Sequence, residues 1–150
     1  MDAVSYPNQE VIDFFDKKLI AVRVPHNAQP WAQQFKVKWT PSLILLDAKG
    51  EEHNRTVGFL PPEELIPSLL LGIGKTHFDS DELDEALASF GRIVEKYPKS
   101  DAAAEAVYLQ GVSRYKKTTK PDALKQAQQQ LARDYAGSQW ATRASAYRLL

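Results

Sequence analysis

Hydrophobic positions change their spacing along this chain of 150 residues, and the changes divide it into elements. Val11, Ile12, Phe14, Phe15 and Leu19 share one face of a helix over residues 8–18, opened by Pro7-Asn8. Ile20-Ala21-Val22-Arg23-Val24 is a short β-branched run closed by Pro25-His26-Asn27, and it predicts a strand. Trp31 and Phe35, one helical turn apart, predict a short helix over 28–35. Ser42–Leu46 is nearly all apolar, the pattern of a strand buried on both faces. Asp47-Ala48-Lys49-Gly50 predicts a turn, and residues 52–59 return as the second strand of a hairpin.

From Pro61-Pro62-Glu63-Glu64 onward the period is helical, with proline early and acids in the first turn. Pro67 is expected to kink that helix or delay its start. From Leu69 the pattern predicts helices only, near 69–79, 81–97, 101–118, 121–135 and 138–148. Asp79-Ser80-Asp81 and Lys99-Ser100-Asp101 supply turns and caps, and Thr119-Lys120-Pro121-Asp122 breaks the next pair. The expected division is therefore an α/β unit over 1–68, with a sheet of about three strands, and an all-α unit over 69–150.

The helical part repeats. Tyr97, Ser100, Ala103 and Ala106 return 38 residues later as Tyr135, Ser138, Ala141 and Ala144. Gly74, Ala86, Phe90 and Pro98 stand at small, small, aromatic and helix-ending positions. The second unit keeps Gly111, Tyr115 and Tyr135 but has Ala136 where the proline belongs. These units resemble tetratricopeptide repeats, the second degenerate and the last helix placed to act as a cap. An ordinary pair of helical hairpins with Ala-rich packing is the plainer alternative.

Composition narrows the function classes. Nineteen basic residues balance nineteen acidic ones, which gives no long-range attraction for nucleic acid or anionic lipid. The apolar run around Leu65–Ile73 is too short to span a bilayer and contains Pro67 and Gly72. Met1–Tyr6 lacks the basic and apolar regions of a signal peptide, so the expected location is cytoplasmic, with no membrane partner. There are zero cysteines, which removes thiolate catalysis, disulfides and zinc–thiolate sites from this chain.

That last count matters because Trp39-Thr40-Pro41, the turn Asp47-x-x-Gly50 and Arg55-x-x-Gly58 resemble, in order and spacing, the second half of the thioredoxin-like family. The resemblance covers about residues 1–72. It implies that Thr40-Pro41 is cis and that Trp39, Thr40 and Pro41 form a substrate-binding loop. In that fold the backbone of the residue before the proline lies free to pair with an extended peptide. The family's CxxC sits at a helix N-terminus, where the thiol pKa falls. Here Met1-Asp2-Ala3 resembles the segment that follows CxxC, so the chain is expected to lack both the cysteines and the central strand before them. The strands on either side of the gap would then close up, pair with a partner, or belong to a longer protein. Association as a homodimer through the exposed sheet edge is one such outcome.

Other chemistry is thin. His26, His53 and His77 are scattered across different elements, none at i, i+3 or i+4 from another, and are expected to be solvated, so no metal is anticipated. Asp79, Asp81, Glu82, Asp84 and Glu85 suit a helix start, and Lys116, Lys117 and Lys120 suit a helix end. No phosphate loop or nucleophile elbow is present, and no cofactor or catalytic residue is expected. Two functions follow. One is a non-catalytic protein–protein interaction module built from a thioredoxin-like remnant and helical repeats, taking a protein or peptide partner. The other is a thiol–disulfide oxidoreductase whose CxxC lies upstream of Met1.

Overall fold

A computed structural model describes residues 1–150. The order is α1 (Gln9–Lys18), α2 (Trp31–Gln34), β1 (Ser42–Leu46), β2 (Glu52–Val57), α3 (Pro62–Asp79), α4 (Leu83–Lys96), α5 (Asp101–Thr118), α6 (Asp122–Asp134) and α7 (Gln139–Ala144), closed by a 3-10 turn at Ser145–Leu149. This is a small α/β unit followed by an all-α region, as the hydrophobic periods predict. Local chemistry sets the ends. Asn8 caps α1 by accepting from the N–H groups of Glu10 and Val11, and Ser138 caps α7 by accepting from Ala141 N–H. α5 stops where Thr119 turns left-handed at φ 58°.

The sheet differs from expectation. It has two strands, not about three, with β1 antiparallel to β2 and an irregularity between Leu45 and Leu46. Residues 20–24 form no strand, and Ile20 and Val22 stand 97% and 78% exposed. A β-branched run becomes a strand only when a neighbour takes up its hydrogen bonds, and none lies beside this one. Nor is β1 buried on both faces, because none of its residues is fully buried. β1 contacts α3, and no other helix packs on it.

α3 organises the molecule. It touches α1, both strands, α4 and α5. A Cβ on Gly72 would lie 2.9 Å from Leu45 Cδ2 and 3.0 Å from Asn54 Cβ, so the missing side chain lets the hairpin settle onto the helix. Two residues along, a Cβ on Gly74 would lie 2.4 Å from the Phe90 ring, and one on Gly111 would lie 2.4 Å from Ala127 Cβ. The same small-residue contact thus joins α3 to α4 and α5 to α6. Pro67 does not delay α3, which starts at Pro62 and runs on through it. Its ring is fully buried, and that packing offsets the one hydrogen bond a proline removes. The expected boundary at 68/69 falls within this helix.

The main core joins Val11 and Phe14 of α1 to Leu65, Leu70, Phe90, Ile93, Ala103 and Ala106 of the helices. A smaller cluster of Val107, Ala127, Leu131 and Ala144 closes the C-terminal end.

Candidate functional site

The loop between α2 and β1 is built from short, local constraints. Trp31 and Phe35 stack with ring centroids 6.1 Å apart. Lys36 takes a φ of 50°, and Val37 N–H then donates to the Ala32 carbonyl at 3.0 Å. Downstream, Ser42 Oγ donates to the Trp39 carbonyl at 2.6 Å, and Gly58 N–H donates to the Pro41 carbonyl at 2.8 Å. Gly58 sits at φ 105°, a conformation side chains resist, so the end of β2 needs a glycine to reach back to Pro41. The Gln29–Pro30 and Thr40–Pro41 bonds are both cis.

Between these anchors the backbone N–H and carbonyl of Thr40 form no hydrogen bond within the chain. Trp39 is 70% exposed beside them. His26, Val37, Lys38, Trp39 and Thr40 line a shallow cleft of about 200 Å³. The structure therefore places Trp39, Thr40 and Pro41 together at one edge of β1. It adds His26 and Lys38, which periodicity does not single out. Lys38 adjoins the loop in sequence, but His26 arrives only through the folding of the 20–30 segment. Chemically the cleft offers a free backbone donor and acceptor, an indole face, an ammonium and an imidazole. It holds no thiol or hydroxyl nucleophile set against a base.

A second polar constellation lies at the far end of the hairpin. His53, expected to be solvated, has a side chain only 9% exposed. Its Nδ1 lies 2.7 Å from Asp79 Oδ2 and its Nε2 lies 3.4 Å from Asp47 Oδ2. The hydrogen bond to Asp79 raises the imidazole pKa, burial opposes it, and Asp47 adds to the rise. Asp47 is held below the usual carboxylate range, first by the Glu51 N–H. Asp47, Glu51 and His53 each offer a ligand atom within 4.8 Å of the others, so this is the group able to hold a metal. Three acids after α3 are paired individually. Asp81 meets Lys116 at 2.6 Å, Glu82 meets His77 at 2.5 Å, and Asp84 meets Lys117. The two lysines thus reach across to acids before and at the start of α4 as well as ending α5.

Residues 4–71 match the thioredoxin-like domain family. That segment is a thioredoxin-like domain, and helices follow it. No curated protein matches the chain. No helix is long and apolar enough to cross a membrane.

Proposed function

We propose that the chain is a protein–protein interaction module that lays an extended peptide beside Thr40 and along the outer edge of β1. The observation that carries this reading is the unpartnered backbone of Thr40, on the surface next to an exposed Trp39. β1 is paired on one side only, so an added strand can continue from the Thr40 groups onto the sheet. The indole would cover an apolar side chain of that peptide. In this proposal residues 69–150 act as tetratricopeptide-like hairpins. The recurring contacts Gly74–Phe90 and Gly111–Ala127 support it, as does the repeat of Tyr97, Ser100, Ala103 and Ala106.

The test is a displayed library of unstructured 12-residue peptides, followed by hydrogen exchange on the selected binders. Binding should slow exchange at Thr40 and along 42–46, and Trp39→Ala should weaken it at least tenfold. Protection confined to the α3–α7 surface, or unchanged affinity in Trp39→Ala, would overturn the reading.

A thiol–disulfide oxidoreductase is the second reading, and the thioredoxin-like match over 4–71 is what favours it. Its reacting sulfurs would have to come from outside residues 1–150, which contain zero cysteines. An in-frame Cys-x-x-Cys within about ten codons upstream of Met1 would establish it, because that motif sits at the N-terminus of the helix that activates its thiol. Stop codons there would sink it.

A further inference from the structure

The Thr40 loop leaves one arrangement unexplained, the buried imidazole at the hairpin turn. We propose that Asp47 Oδ2, a Glu51 carboxylate oxygen and His53 Nε2 form a binding site for a divalent cation of the zinc class, with Asp79 as the outer carboxylate that orients the imidazole.

Four observations support this. The three ligand atoms already lie within 4.8 Å of one another. His53 Nε2 is buried and has no hydrogen-bond partner, although its side chain is only 9% exposed. Such an atom needs either a partner or a ligand. The contact from Nε2 to Asp47 Oδ2, at 3.4 Å, is longer than an ordinary N–H···O hydrogen bond.

The third observation is how Asp47 divides its oxygens. Oδ1 accepts from the N–H groups of Lys49 and Glu51, both at 2.9 Å, which shapes the turn and leaves Oδ2 facing the ring. The fourth is Asp79. Its Oδ2 lies 2.7 Å from Nδ1, which holds a proton on that nitrogen and turns the Nε2 lone pair toward the two carboxylates. A carboxylate behind a ligating histidine is the usual outer partner of a bound metal.

The ligand set decides the ion. One imidazole and two carboxylates suit a first-row divalent metal, for which zinc–ligand distances are about 2.0–2.2 Å. Calcium would require about six to eight oxygens, which the turn does not supply. Glu51 is exposed and is the ligand free to close the small remaining distance. The same exposure leaves the fourth coordination position to water. The spacing Asp47-x-x-x-Glu51-x-His53 crosses a hairpin turn, so helical spacing rules pass over it. A proton shared between the imidazole and the carboxylates is the competing occupant, and the experiment separates the two.

The tag-free full-length chain is titrated with zinc chloride at pH 7.5 by calorimetry, and with cobalt(II) by visible absorption. One equivalent of zinc should bind. Cobalt should give the intense visible bands of low coordination number. Glu51→Gln, on the surface, should retain the native far-ultraviolet circular dichroism and bind at least tenfold more weakly. Asp79→Asn should lose about 10- to 100-fold, the range for outer-shell partners. His53→Gln should abolish the site. The proposal fails if zinc does not bind. It also fails if binding is the same in Glu51→Gln and His53→Gln as in the parent, since the ion would then sit elsewhere.

Discussion

Two sides of α3 hold their neighbours by different means. Against α4 and α5 the contact is apolar and closed, with Phe90, Ile93, Ala103 and Ala106 all fully buried. Against the hairpin it is thinner and more polar. Thr56 meets Ser68 at 3.0 Å, Lys75 donates to Asn54 at 3.2 Å, and His53 meets Asp79, while no residue of β1 or β2 is fully buried. Dispersion and hydrophobic burial scale with area removed from water, so the helical region carries most of the stability. Exchanging polar contacts with water leaves the sheet only modestly held. A weakly covered sheet edge is where a partner strand can add, and a closed helical core is what keeps that edge in place.

The largest expected effect comes from Phe90→Ala, which removes the ring packed on Gly74. It should destabilise the chain by about 3–5 kcal/mol, measured by urea unfolding followed by circular dichroism. A loss of under ~1 kcal/mol would mean that the helical core is not the dominant store of stability. Gly72→Ala works on the other side of α3. Its new methyl meets Leu45 and Asn54, so overpacking of about 1–3 kcal/mol is set against a helix-propensity gain of about 1 kcal/mol. Hydrogen exchange should speed up across 42–57 and stay unchanged in α4–α6. Uniform acceleration would show that sheet and helices open as one unit.

A smaller effect concerns the C-terminal cap. Tyr108 and Tyr147 share a hydroxyl–hydroxyl hydrogen bond of 2.8 Å. Burial, then that bond, pushes the Tyr147 pKa up to about 12. The folded state therefore favours the neutral phenol. The stability it contributes is present below the ordinary tyrosine pKa of about 10 and is lost as pH rises through about 12. Absorbance at 295 nm should resolve one late-titrating tyrosine, and Tyr108→Phe should bring it earlier. Smallest for stability is Trp39→Ala, expected within about 0.5 kcal/mol because the indole is mostly in water. A loss well above that would give Trp39 a packing role under the loop.

What was legible in the sequence follows from how local each signal is. α5 occupies 101–118 as its Ala periodicity and flanking turns predict, and Trp39-Thr40-Pro41 forms a single loop because its members are contiguous. The run Ile20–Val24 misleads because β-branched composition states a preference that only a neighbouring strand can satisfy. Ser42–Leu46 misleads similarly, since an apolar strand does not say whether both of its faces will be covered. Pro67 looks like a break, yet burial of its ring outweighs the lost bond. His53 is the clearest case. Its partners, Asp47 and Asp79, stand six residues before it and 26 after it; the hairpin turn brings Asp47 to the ring, and only the docking of the hairpin on α3 brings Asp79.

The continuity of α3 also governs how the chain can be dissected. A cut at 68/69 would separate Leu65 and Ile66 from Leu69, Leu70 and Leu71, all of which lie in one core. A fragment ending there would expose half of a greasy helix and precipitate, whereas one starting at Pro62 carries the whole helix away from the hairpin. Anyone preparing the helical half for isolated study should begin at residue 61 or 62. The hairpin half has no equivalent clean terminus, because the surface it stands on belongs to its neighbour as well.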